Sequence, residues 1–322
     1  MTHTLPPRPL LCALLLAFFG LIASAQSVQR GPYTLDAIAD GVFHLQDGND
    51  SNPPGLHLNP DGTQAGLNNC SDMYLVTGRD KALLIDLSNP VTWDSTAAES
   101  LRSLVYDRVG DREFLITVTH RHGDHLGMLP AFADDPRAKF WIPGEEFGHA
   151  GPFPADRTEY FPENASLDLG GGVVLSTVEV PGHTPHSTLF LLPGEDLIFS
   201  GDAIGSGSGV WLFNEESFYV YKESVGRLLA FLENPGCPVD RDHLTILGGH
   251  AWQKGERDKL GPEYIDDMRT LMDEMARGTA AREKTSTFLP FLNTSFTFGS
   301  ATITWNDEAA DRYASQNHDS SL

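Results

Sequence analysis

The sequence predicts a layered α/β protein, and three observations carry that prediction. Short apolar runs rich in β-branched and aromatic residues recur along most of the chain. Segments with helical apolar spacing lie between and after them. Strand-like runs come first and mix with helices later, an order that suits sheets and helices sharing layered cores.

The strand-like runs cover 41–45, 72–77, 81–87, 113–119, 139–142, 173–180, 188–192, 196–200, 243–247 and 301–305. Gly78-Arg79-Asp80 and Pro193-Gly194-Glu195 separate paired runs and read as hairpin turns. A first helix is predicted over 97–108, where Ala97, Leu101, Leu104 and Val105 share a face and Asp94 or Ser95 is placed to cap the start. A second covers 222–233, with Val225, Leu228, Leu229 and Leu232 aligned and Pro235-Gly236 ending it. A third covers 262–277, where Ile265, Met268, Leu271, Met272 and Met275 line one side. Pro262 suits its first position and Gly278 its end. The stretch 47–69 is rich in Gly, Asn, Asp and Pro and long for a connection, so it is either a functional loop or a disordered one. From Asn306 onward the chain is polar and is expected to fray.

The N-terminus predicts export. Arg8 precedes an apolar run from Leu10 to Ile22, then come the small residues Ala23-Ser24-Ala25 and Gln26. This reads as a signal peptide over 1–25, which places the mature protein in the periplasm or outside the cell. The alternative is an uncleaved anchor, although the run is short of the roughly 20 apolar residues a span needs. The net charge of −22 disfavours nucleic acid and anionic membrane surfaces as partners and leaves a small-molecule substrate. Of three cysteines, Cys12 falls in the leader. Cys70 and Cys237 are then either a disulfide, as exported proteins allow, or two buried thiols.

The chemistry concentrates in Thr119-His120-Arg121-His122-Gly123-Asp124-His125, directly after the apolar run 114–118. A buried strand thus delivers three imidazoles and a carboxylate into one loop, and these are the usual ligands of zinc and similar divalent ions. Three later apolar runs also end in a ligand type: 178–182 leads to His183, 197–201 to Asp202 and 244–249 to His250. Glycine precedes each, where backbone turns or approaches closely. Any one of these alone reads as an ordinary hydrogen-bonded residue. Four such strand ends in one chain read jointly as a metal site.

The spacing His-x-His-x-Asp-His, followed by Gly-His, Gly-Asp and Gly-His, resembles the metallo-β-lactamase superfamily, over about Ile38 to His250. The resemblance implies a four-layer αβ/βα sandwich with metals at one edge between two sheets, formed by a catalytic domain over 26–305 and followed by a polar tail over 306–322. It implies that His120, His122 and His183 hold a first divalent ion, that Asp124, His125 and His250 hold a second, and that Asp202 bridges them. Seven candidate ligands, five His and two Asp, exceed one tetrahedral zinc, and a shared carboxylate suits ions roughly 3.5–4 Å apart. The implied reaction is hydrolysis by a metal-bridging hydroxide, with Asp124 as the catalytic proton carrier. The set holds no thiolate, which favours zinc and leaves iron and manganese compatible.

Departures from subfamilies narrow the substrate. Asp202 stands where β-lactamases of this type usually have Cys or Ser, and Gly205 where acyl-homoserine lactonases typically carry Tyr. The helix 262–277 is followed by the strand-like run 301–305 in place of the basic helical region of glyoxalase II. The acidic charge is unlike that of the ribonuclease members. What remains is a hydrolase of small esters, thioesters, lactones or amides. The alternatives are a β-lactamase, an oxidoreductase resembling the mononuclear iron persulfide dioxygenases, and a non-catalytic binding protein. Outside the motif, His186 is either a partner of His183 or an ordinary surface or core residue, and His243 reads as structural. His57 enters the site only if its loop is a lid. Trp211, Phe213, Tyr219 and Tyr221 form either a substrate wall or ordinary packing.

Overall fold

The central strands are apolar on both faces because each is covered on both sides. The computed structural model describes residues 27–48, 57–58, 64–66, 70–205, 209–250, 259–287 and 289–319. The expected signal segment 1–25 and most of 47–69 lie outside the described residues. The first sheet contains β1 (Val28–Arg30), β2 (Tyr33–Ala39) and β3 (Val42–Asp47). After the small hairpin of β4 (His57–Leu58) and β5 (Gln64–Gly66), it continues with β6 (Met73–Thr77), β7 (Lys81–Ile85), β8 (Glu113–Thr117), β9 (Ala138–Pro143) and β10 (Thr158–Phe161). Its order is β1-β2-β3-β6-β7-β8-β9-β10, and β7 through β10 run parallel. The second sheet holds β11 (Ser166–Gly170), β12 (Val173–Glu179), β13 (Thr188–Leu192), β14 (Leu197–Gly201), β16 (Thr245–Gly248) and β17 (Lys259–Leu260), in that order. A third, smaller sheet joins β15 (Val210–Trp211), β20 (Ala301–Trp305), β19 (Thr294–Phe298) and β18 (Ala281–Lys284).

Side-chain alternation sets the layers. In β7, Leu83 and Ile85 enter the core between the sheets, with Phe190, Leu192, Leu197 and Phe199 of β13 and β14. Ala82 and Leu84 point the other way, toward Leu101, Leu104 and Val105 of α1 (Ala97–Val109). In β13, Leu189 and Leu191 pack outward, with Val225, Leu228 and Ile265 of α4 (Glu215–Leu232) and α5 (Pro262–Arg277). Helix, sheet, sheet and helix follow one another, so the four-layer αβ/βα sandwich is observed. The short helices α2 (Pro130–Ala133) and α3 (Gly144–Phe147) flank the first sheet. Because β14 and β16 are parallel, as are β7 and β8, the strand ends carrying ligand types collect at one edge.

Several elements differ from expectation. Helix α1 begins as predicted, but neither Asp94 nor Ser95 is its cap: Thr96 is, and the Asp94 carboxylate instead accepts from the Thr96 amide and hydroxyl, both at 2.7 Å. Helix α4 begins at Glu215, a full two turns before the predicted 222, with Asn214 Oδ1 accepting from the Ser217 amide at 2.9 Å. After Glu215 and Glu216, residues 217–221 are Ser, aromatic and β-branched, which carry little helical preference. The segment from 306 is not a fraying tail but helix α6 (Asp307–Asp319), which buries Ala309, Ala310, Tyr313 and Ala314. Its apolar face is mostly alanine and therefore weak in the sequence. Cys70, buried, and Cys237, half-buried, form no disulfide with each other.

Candidate metal centre

The site begins with a carboxylate that the motif does not contain. Asp86 follows β7 in the left-handed region (φ 64°), uncommon for a residue with a side chain. There it accepts from the Thr119 amide (2.7 Å) and hydroxyl (2.9 Å) and lies 2.9 Å from His125 Nδ1. It thereby anchors the loop leaving β8 and aims His125 Nε2 inward. Two carbonyls act likewise: Trp211 O is 2.9 Å from His183 Nδ1, and Cys70 O is 2.7 Å from His250 Nδ1. A carbonyl only accepts, so each Nδ1 donates and each Nε2 faces the site.

The seven residues singled out from the sequence come together as two adjoining groups. One is His120, His122 and His183; the other is Asp124, His125, Asp202 and His250. Within each group the candidate ligand atoms lie within 4.8 Å of one another. His122 Nδ1 is 3.0 Å from His183 Nε2. Asp202 spans the groups, with Oδ2 at 3.5 Å from His183 Nε2 and 3.2 Å from His250 Nε2. Asp124 Oδ2 is 3.3 Å from His250 Nε2. His120 Nε2, His125 Nε2 and Asp202 Oδ1 are buried without a hydrogen-bond partner. Buried polar atoms are normally satisfied, and divalent cations would satisfy these. The donor set fits such ions.

Charge divides the two groups. Burial, helped by the neighbouring His125 and His183, holds His120 well below its usual pKa. Burial and His183 bring His122 to about 3, and burial also lowers His183. This triad is neutral at pH 7, as imidazole ligation requires. In the second group burial again opposes charge, but carboxylates outweigh it: Asp86, Asp202 and Asp124 hold His125 well above its usual value. Asp202 and Asp124 likewise raise His250 to about 10. Despite burial, His125 and His250 keep Asp124 and Asp202 low.

Glycine before a ligand is a steric requirement here. A Cβ on Gly249 would lie 2.5 Å from Asp202 Oδ1 and 2.8 Å from His125 Cε1, and one on Gly201 would collide with the Thr119 hydroxyl.

The remaining candidates separate cleanly. Phe213 stands edge-on to His122 (5.2 Å) and His183 (5.1 Å), with Trp211 6.4 Å from Phe213, so these two border the site. Tyr221 is instead buried in the core, and Tyr219 packs on Tyr313 at 4.5 Å. His186 does not partner His183; its Nδ1 is 3.0 Å from Glu179. His243 pairs with Asp240 at 2.9 Å in a surface turn. The His57 side chain lies outside the described residues. The motif also left out Glu146, whose buried carboxylate joins two of the site loops. Asp86 and Glu146 do carry a signal, since each closely follows an apolar strand, as the ligands do.

A two-sheet αβ/βα sandwich with clustered His and Asp at its edge defines a class of candidate metalloenzymes. The profile of the metallo-beta-lactamase superfamily matches residues 71–244, more than half of the chain, and the chain belongs to that superfamily, whose members are generally metal-dependent hydrolases. It is similar to the Beta-lactamase-like protein 2 homolog of Caenorhabditis elegans, with 27% identity over 214 residues, 66% of this chain. That match spans 63% of the relative's length. Among solved structures, a metallo-beta-lactamase from Pontibacter korlensis aligns with a TM-score of 0.53 at 16% identity, covering 77% of this chain and 99% of that one. One from Erythrobacter litoralis, with beta-mercaptoethanol in its active site, aligns with a TM-score of 0.52 at 20% identity, covering 77% and 100%. Likeness at these identities is likeness of fold.

Proposed function

We propose that this protein is an exported hydrolase of small esters, thioesters, lactones or amides that works with two divalent cations, zinc favoured. The observation that carries the reading is the convergence of the seven side chains, with buried ring nitrogens and a carboxylate oxygen left unsatisfied. His120 Nε2, His122 Nδ1 and His183 Nε2 would hold one cation, and Asp124, His125 and His250 the other, with Asp202 between. Bound there, such cations would lower the pKa of a water toward about 7 and would polarise the substrate's carbonyl oxygen.

The chain's residues do the rest. Asp86 and the carbonyls of Trp211 and Cys70 fix the ring orientations in advance, so little reorganisation accompanies reaction. Phe213 packs edge-on against His122 and His183 and covers one side of the first triad. Asp124, partly open to solvent, would take the proton as the intermediate collapses and pass it to the leaving group. Asp124→Asn is expected to lower kcat at least about 100-fold; a variant that keeps its metals and full activity contradicts that role.

The mature chain from Gln26 is to be assayed on a lactone, a thioester, an aryl ester, a phosphodiester and a chromogenic β-lactam, before and after chelation. One ester, thioester or lactone should be hydrolysed at a rate that chelation abolishes and zinc restores. A metal-dependent rate on the β-lactam alone would reassign the substrate, and no metal-dependent rate on any member would contradict the hydrolase reading.

A further inference from the structure

The two loops that supply the first triad come from different sheets. One, 119–125, leaves β8 in the first sheet, and the other, 180–187, joins β12 to β13 in the second. Their relative position decides whether His122 Nδ1 and His183 Nε2, 3.0 Å apart, face one ion. Beneath the ligands the loops meet where the Thr188 amide donates to Thr119 O at 2.8 Å. The second tie is Glu146. It sits on α3 after β9, with no side-chain surface exposed. Its Oε1 accepts from the Arg121 amide at 3.0 Å, between His120 and His122. Its Oε2 accepts from the His186 amide at 3.0 Å, three residues after His183. Arg121 Nε lies 3.8 Å from Oε1 and supplies opposite charge.

We infer that Glu146 is a positioning residue for the first cation site, holding the loops of His120–His122 and His183 at the spacing that ligation needs. The inference rests on the two-cation reading. A carboxylate suits the place because both oxygens must accept; an amide would turn an NH2 toward one of the backbone N–H groups. The effect is confined to the first site because the second group has its own ties: Asp86 on His125, Cys70 O on His250, and the Asp72 amide on Gly249 O at 2.7 Å. Loss of a residue that orients ligands costs roughly 10–100-fold in metal affinity.

The test is zinc titration of the full mature chain against a chromogenic chelator, for wild type, Glu146→Ala, Glu146→Gln and Glu145→Gln. Glu145 is an exposed neighbour on the same helix, paired with His149, and controls for charge and helix integrity. The expected result is that Glu146→Ala binds one of two zinc ions about 10–100-fold more weakly and the other unchanged. Glu146→Gln, which keeps one acceptor and preserves the fold, should fall between, and Glu145→Gln should match wild type. Wild-type affinity at both sites in both Glu146 variants, or equal weakening of both ions, overturns the inference. A wild-type chain that takes up no zinc overturns the two-cation reading and this inference with it.

Discussion

At the scale of single residues, the site pairs one neutral triad with one group of interlocked charges. His250, raised to about 10 by Asp202 and Asp124 against burial, is protonated at pH 7, whereas His122, at about 3, is not. A cation entering the second group must therefore expel at least one proton, and one entering the first triad need expel none. Affinity for the second cation should fall as pH falls below about 10, by up to tenfold per pH unit for each proton displaced. Calorimetric zinc titration at pH 7 in buffers of different ionisation enthalpy checks this. Proton release accompanying only one of two binding steps is expected, and proton-free binding of both contradicts the electrostatics. The ligands were legible because each follows an apolar run and a glycine or lies in one dense motif. The residues that aim them were less so. Asp86 was read as part of a continuing strand, although the strand ends at Ile85. The Trp211 and Cys70 carbonyls carry no side-chain signal at all.

At the scale of elements, legibility followed burial. Strands β7, β8, β13 and β14 are covered on both faces and announce themselves as unbroken apolar runs. Strand β18 is exposed throughout and reads Ala-Arg-Glu-Lys, so nothing in composition distinguishes it from a loop. Helix α5 was predicted to the residue, because Pro262 and Gly278 punctuate a strongly one-sided pattern. Helix α4 was read short because its start depends on a single cap. Asn214→Ala removes that cap and is expected to destabilise the protein by about 1 kcal/mol, read as a lower midpoint in urea unfolding. An unchanged midpoint would mean that packing of Phe218 against Trp305, stacked at 4.8 Å, defines the helix start by itself.

At the scale of the whole molecule, two half-sandwiches meet across one apolar core, and the site lies at their edge. Each half contributes ligands: His120, His122, Asp124 and His125 follow the first sheet, and His183, Asp202 and His250 extend from the second. Neither half holds a complete site, so cation binding should report on their association. The fold class and layer order were legible in the sequence. Of the third sheet only β20, read as the strand 301–305, was legible, and helix α6 was not, because the exposed edge strand β18 and an alanine-rich face give little contrast. The net charge of −22 fits the proposal of a small substrate rather than a polyanion. Among the described residues, no helix is long and apolar enough to cross a membrane. The central claim is that these seven side chains hold two cations, and zinc content per chain tests it most directly. Metal analysis of the purified mature protein, after equilibration with zinc and removal of excess, should give about two ions for wild type and about one for His250→Ala. Fewer than one ion in wild type, or the same content in both proteins, would contradict the account.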